Sequence, residues 1–265
     1  MVELDVIKIS KRAFARLSVM DYEKDEGNSP EQLIFPNKFQ AKGNVKRISE
    51  QELRLLFVEE FKKEYSGLFY SIETPTKEKY KFGKSYEDIK ADNNGQSALL
   101  DMCVFNRNEN KYERILSIEF KHKNASIKSI GKDILKLMNE QQNGAFTILL
   151  ENTNKGTFCN SSKTGIFDKL CKLFTDFKDY SMNWNNDKTI DLIILSLKQK
   201  ILIHRKINKT DFNNLKKIFY IQSGCGDITK INGNGWKIEN MKSTVTDFVS
   251  FLDCCRDMNN VGEIT

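Results

Sequence analysis

Two short apolar segments flanking a polar run constrain this chain more than any other feature of its sequence. Ser97 to Phe105 (SALLDMCVF) and Arg114 to His122 (RILSIEFKH) are rich in β-branched, aromatic and aliphatic residues, while Asn106 to Tyr112 between them has the composition of a turn. The pattern predicts a β-hairpin. With its loop centred near residues 108 to 110, opposed positions sum to roughly 216 to 220, so Asp101 falls beside a residue between about 115 and 119 on strands roughly 4.8 Å apart.

The two-residue period of the second strand puts Glu119, Lys121 and Lys123 on one face and Ile118, Phe120 and His122 on the other. Asp101, Glu119 and Lys121 then form a D…E-x-K constellation. Strand-edge acids and lysines are ordinarily solvated ion pairs, and a chain with 29% charged residues contains such patterns by chance. The order of elements around the hairpin therefore carries more weight. Ser49 to Tyr65 has an N-cap serine, Glu52 at the capping-box position and apolar residues at 53, 56, 57 and 61, which predicts an amphipathic helix. Phe69 to Tyr80 is a strand candidate that Pro75 is expected to bend or end midway. After the hairpin, Ile127, Ile130, Ile134, Leu137 and Met138 mark a second helix, and Ala145 to Leu150 is a buried-strand pattern. The predicted order is α-β-β-β-α-β.

Two carboxylates with a lysine at hand suit a hard divalent cation, Mg²⁺ or Mn²⁺, with waters completing the coordination and a phosphate able to replace one of them. Such a cation lowers the pKa of bound water and neutralises charge developing at phosphorus. The lysine can hold the phosphate or orient the attacking water.

On these residues, over roughly positions 49 to 151, the chain resembles the PD-(D/E)xK superfamily of restriction-endonuclease-like nucleases. The resemblance implies an α/β fold with a mixed central sheet flanked by helices. It matches Asp101 to the family's aspartate, Glu119 to its second acid and Lys121 to its lysine; Leu100 stands where the family often has proline. It also implies a glutamate from the first helix, with Glu50, Glu52, Glu59 and Glu60 as candidates. Glu50 shares its helical face with Leu53, Phe57 and Phe61 and is the first choice, with Glu60 next; Glu52 fits the cap and Glu59 points outward. The implied activity is divalent-metal-dependent hydrolysis of phosphodiester bonds, DNA being the expected substrate. The alternatives are an RNA endonuclease on the same fold and a catalytically inactive nuclease-fold module that binds nucleic acid or protein. A double-strand break needs two such sites, which a C₂ homodimer supplies most simply. Restriction, phage defence, mobile-element processing and repair all remain open as settings.

Composition agrees without deciding. The net charge of +6 favours a polyanionic partner modestly. Lys128, Lys132 and Lys136 recur at i, i+4, i+8 on the second predicted helix, close in sequence to Lys123, and could track a phosphate backbone. No segment approaches the roughly 18 apolar residues needed to span a bilayer and no signal-peptide pattern opens the chain, so a cytoplasmic protein with no membrane association is expected. The six cysteines include no C-x-x-C pair, and with only His122 and His204 beside them a zinc site is not expected. Cys103 is expected to be a structural thiol, and Cys254 and Cys255 a reduced pair in a closing helix. There is no Walker-type loop, hence no built-in ATPase.

Residues 1–48 are expected to form an N-terminal strand (Val2, Leu4, Val6, continued by Ile7 and Ile9) and a loop extension. Residues 49–151 are the nuclease-like core. Residues 152–265 form a C-terminal α/β extension: a helix over 164–180, strands over 190–197 and 201–207, a short helix over 210–220 and a closing helix over 243–256.

Overall fold

The computed structural model describes residues 4–20, 32–38, 45–46, 49–151, 153, 156–160, 162–220, 234–242 and 244. The fold is α/β, with a mixed eight-stranded open sheet and flanking helices. The chain groups into two compact units, one of residues 1–64, 200–202 and 239–265, the other of residues 65–199 and 203–238. The 49–151 segment expected from sequence is thus shared between them, its first helix lying in the first unit.

In the first unit, helix α1 (Val6–Leu17) stands where the sequence suggested a strand. Its buried residues Val6, Ile9, Ala13, Phe14 and Leu17 keep a helical period over a longer window than the short apolar alternation at its start, and Asp5 caps it by accepting the Lys8 N–H at 2.9 Å. A two-residue ladder joins β1 (Asn37–Lys38) to β2 (Val45–Lys46). Helix α2 (Glu50–Glu64) buries Leu53, Leu56, Phe57 and Phe61, as its periodicity predicts. Glu52 closes back on the Ser49 N–H at 3.1 Å, the expected cap. The two helices run antiparallel: Arg12 pairs with Glu64 at 2.6 Å, and buried Arg16 reaches Glu60 at 3.0 Å and Glu59 at 2.7 Å.

The second unit wholly contains the strands from β3 to β8. β3 (Phe69–Phe82) pairs antiparallel with short β4 (Ile89–Ala91) on one side and with β5 (Gln96–Asn108) on the other. β5 forms the predicted hairpin with β6 (Lys111–His122) around a two-residue turn, tighter than the polar run suggested. β6, β7 (Asn143–Leu150) and β8 (Thr189–Ser196) are parallel, and helix α3 (Ile127–Asn139) makes the crossover from β6 to β7. The sheet order is β4-β3-β5-β6-β7-β8-β9-β10, completed by β9 (Ile201–Asn208) and β10 (Lys237–Asn240).

Pro75 does not end β3. The register slips between Pro75 and Lys79; the Thr76 hydroxyl takes the Ala98 N–H at 2.8 Å, and the buried carboxylate of Glu140, just past α3, accepts the Lys77 and Glu78 N–H groups at 3.2 and 3.0 Å. A bulge absorbs the proline, and the strand resumes.

Helix α4 (Ile166–Asp176) packs closely beside α3, where a Cβ at Gly131 would stand 3.0 Å from the Leu173 side chain. A 3₁₀ segment (Lys178–Asn183) completes the helical stretch expected over 164–180. The expected 210–220 helix is split into a 3₁₀ turn (Lys209–Asn213) and α5 (Leu215–Ile218). Phe167 stacks on Trp236 at 4.5 Å and meets Phe158 and Phe219 edge-on, an aromatic core for this end of the unit. Cys103 is a buried free thiol, pushed up to about 11 by burial. Cys225, Cys254, Cys255 and most of the expected closing helix lie outside the described residues. No described helix is long and apolar enough to cross a membrane.

Candidate functional site: an acid–lysine cluster under helix α3

The β5–β6 ladder ends with Met102 paired to Ile118, and that register continued by one residue would set Asp101 against Glu119. Opposed residues share a sheet face, and Lys121 follows Glu119 on that face. At this step the two strands part. The Asp101 carboxylate, in place of a ladder carbonyl, accepts the Phe120 N–H at 2.7 Å, which fixes its position relative to both residues of the E-x-K pair. Beyond it, β6 continues against β7, Glu119 opposite Phe146 and Lys121 opposite Ile148.

Helix α3 covers this face. Its N-cap Ser126 accepts the Ser129 N–H at 3.2 Å, and Lys169 from α4 pins the preceding connection by donating to Asn124 Oδ1 and the Ala125 carbonyl, both at 2.6 Å. Lys123, in that connection, is exposed and takes a left-handed backbone at φ 62°, its N–H extending the β6–β7 pairing to the Leu149 carbonyl at 2.8 Å. So anchored, α3 delivers two side chains that the motif did not include. Asp133 Oδ2 lies 2.8 Å from Lys121 Nζ, and Lys136 Nζ lies 2.6 Å from Glu119 Oε1, 3.2 Å from Asp133 Oδ1 and 2.7 Å from the Leu99 carbonyl.

Lys136 therefore does not extend an outward row. It is buried among acids, whereas Lys128 donates to the Lys84 carbonyl at 2.6 Å and Lys132 lies over the Phe82 ring at 5.1 Å, both half-buried. The reason is that α3 is covered nearly all round, Leu135 and Lys136 being buried along with the Ile130–Ile134–Leu137 stripe. One sequence signal for Asp133 existed: it falls between Ile130 and Leu137 at inward spacing, a charged residue on an apolar stripe.

Glu119 is 1% exposed. Burial, followed by the neighbouring Asp133 charge, pushes its carboxyl well above the usual range, with Lys136 pulling the other way. Asp101 is pushed up by burial too, opposed by the Phe120 N–H and aggravated by Asp133. For Lys136, burial favours the neutral amine, but Glu119 and Asp133 outweigh it and the ammonium is held charged. Three carboxylates thus face two ammonium groups, an excess of negative charge in a poorly solvated place.

Among the described residues no three His, Cys, Asp or Glu side chains form a ready-made metal cage. The donor set nevertheless fits a hard divalent cation: the oxygens are carboxylates, their charge is under-compensated, and buried Glu119 Oε1 and Asp133 Oδ2 touch ammonium groups without a partner in hydrogen-bonding alignment. Asp101 and Glu119 would hold such an ion, with Asp133 within the same cluster.

Glu50 is half-buried at the start of α2 in the first unit, while the cluster is built wholly within the second. Glu60, the second choice for the helix glutamate, is engaged by Arg16 and by Lys63 at 2.7 Å. Compared with known proteins, the chain matches no family model, no curated protein and no solved structure.

Proposed function

We propose that this chain is a divalent-metal-dependent nuclease, with a restriction-endonuclease-like core running from α2 through β3, β5, β6 and α3 to β7, and that its substrate is DNA. The observation that carries this reading is the juxtaposition of Asp101 and Glu119 on adjacent strands, on one face with Lys121, where β5 and β6 part beneath a crossover helix. Asp101 and Glu119 would hold a Mg²⁺ or Mn²⁺ ion, which would supply an activated water and charge neutralisation at the scissile phosphate. Lys121, the more accessible of the cluster's two lysines, binds the phosphate oxygens and exchanges Asp133 for substrate as it does so. The Phe120 N–H holds the Asp101 carboxylate in one orientation, so the ligand is preorganised rather than free to rotate. Lys123, exposed at the end of β6, is placed to meet the flanking backbone.

A second reading, a nuclease fold retained for binding alone, draws support from one observation: the cluster's acids are already in contact with the chain's own lysines. Incubating the purified chain with supercoiled plasmid, linear duplex, single strands and RNA, in Mg²⁺, Mn²⁺ or EDTA, separates the two. Metal-dependent cleavage of DNA supports the nuclease, cleavage confined to RNA makes it a ribonuclease, and retention of nucleic acid without cleavage in either metal favours the binding module.

A further inference from the structure

Lys136 is the least expected member of the cluster. Its ammonium has three N–H donors and three oxygen neighbours: Glu119 Oε1 at 2.6 Å, the Leu99 carbonyl at 2.7 Å and Asp133 Oδ1 at 3.2 Å. Two carboxylates and a backbone carbonyl are hard oxygen donors of the kind that bind Mg²⁺ or Mn²⁺. The lysine and Asp133 are one turn apart on the same helix, so helical geometry holds them together. The side chain is 7% exposed, which leaves it no role in touching a polyanion at the surface.

We propose that Lys136 is a resident cation of this site, its ammonium filling the position between Glu119 and Asp133 that a second divalent ion would otherwise take, so that the cluster admits a single ion on the Asp101 side. Charge supports the count. With every group ionised, three carboxylates and two ammonium groups sum to −1; one divalent ion brings the cluster to +1, whereas two would bring it to +3 in a poorly solvated place.

The test is Lys136→Met, which keeps the length of the side chain and removes the charge. Wild type and variant are titrated with Mn²⁺, counting bound ions by electron paramagnetic resonance and following the melting temperature against EDTA. The expected result is one ion per chain in the wild type and two in the variant, the added ion binding Glu119 and Asp133. The variant should also be less stable than wild type in EDTA and gain more from Mn²⁺, consistent with at least about tenfold tighter binding once a like charge is gone. Adding Asp133→Asn to the variant should abolish the second ion. An unchanged count together with an equal melting shift in wild type and Lys136→Met overturns the assignment. If Lys136→Met fails to fold in EDTA, refolding in Mn²⁺ supports it. Failure in both, with Lys136→Gln folding and answering Mn²⁺ as the wild type does, overturns it.

This inference rests on the same view of the cluster as a cation site that underlies the proposed nuclease, but its readout is not cleavage. A chain that cuts no nucleic acid yet gains an ion on Lys136→Met refutes the nuclease and leaves Lys136 assigned. A chain that cuts while the variant gains none refutes the role of Lys136 alone.

Discussion

Replacing Glu140 with alanine tests how the bulge in β3 is held, and through it the strand that carries Asp101. Glu140 is 1% exposed and its carboxylate accepts the Lys77 and Glu78 N–H groups and the Tyr80 hydroxyl at 3.3 Å, with Arg114 Nη1 at 3.6 Å. Alanine leaves three donors without their acceptor. At about 1–3 kcal/mol for each buried donor left unsatisfied, and with part of the loss recovered by water entering the vacated space, the total is about 3–5 kcal/mol. For a chain of this size about 2–4 °C accompanies each kcal/mol, so the melting temperature should fall by about 6–20 °C. Glu140→Gln keeps one acceptor oxygen but turns an amide N–H toward a backbone donor, and should cost about 1–2 kcal/mol. The consequence reaches the site because Ala98 and Leu99 pair next to the bulge, and the Leu99 carbonyl holds Lys136. Calorimetry and urea titration measure both variants. A Glu140→Ala protein that melts within about 2 °C of wild type would show that the carboxylate does not anchor the bulge.

Lys188 gives a prediction in pH. It is 3% exposed, donates to the Met138 carbonyl at 3.0 Å and to the Glu140 carbonyl, and lies 4.7 Å from the centre of the Trp184 ring; burial depresses it from 10.5 to about 7. Between those values the unfolded chain carries a proton that the folded chain lacks, so this group makes stability rise with pH across the window; below about pH 7 its burial costs up to about 5 kcal/mol. Lys188→Met should therefore compare best with wild type near pH 6 and lose that advantage toward pH 10, and a difference independent of pH in urea titrations refutes the assignment. In the first unit, Glu60→Ala should cost about 2–4 kcal/mol by removing the buried carboxylate that faces Arg16 at 3.0 Å, seen as a lower urea midpoint.

Strand pairing was the most legible part of the molecule because a period of two combined with a fixed turn leaves few registers: Met102 paired with Ile118 lies within the range of sums read from the two apolar runs alone. Helices α2 and α3 were legible from capping and periodicity, as Ser49 with Glu52 shows for α2. Short windows misled. The apolar alternation from Val2 to Ile9 suggested a strand because too few residues were weighed, although Asp5 stood ready as a cap. The row of lysines on α3 suggested an outward face able to track a phosphate backbone because a helix covered on nearly every side cannot be told from a surface helix by one apolar stripe; only the packing of α4 and the sheet decides where Lys136 points. Glu140 and Lys188 act across about 50 to 60 residues of sequence, on a bulge and on helix-end carbonyls that no local pattern announces.

Single-turnover cleavage of a duplex by wild type, Asp101→Asn, Glu119→Gln and Lys121→Ala, in Mg²⁺ and in Mn²⁺, tests the central claim most directly. The nuclease reading predicts a metal-dependent cut by the wild type and a loss of at least about a hundredfold in each variant, with far-ultraviolet circular dichroism unchanged, because each removes a ligand or a phosphate-holding charge rather than core packing. Cleavage at the wild-type rate by Asp101→Asn or Glu119→Gln, in the same buffer and with the same metal dependence, would contradict it.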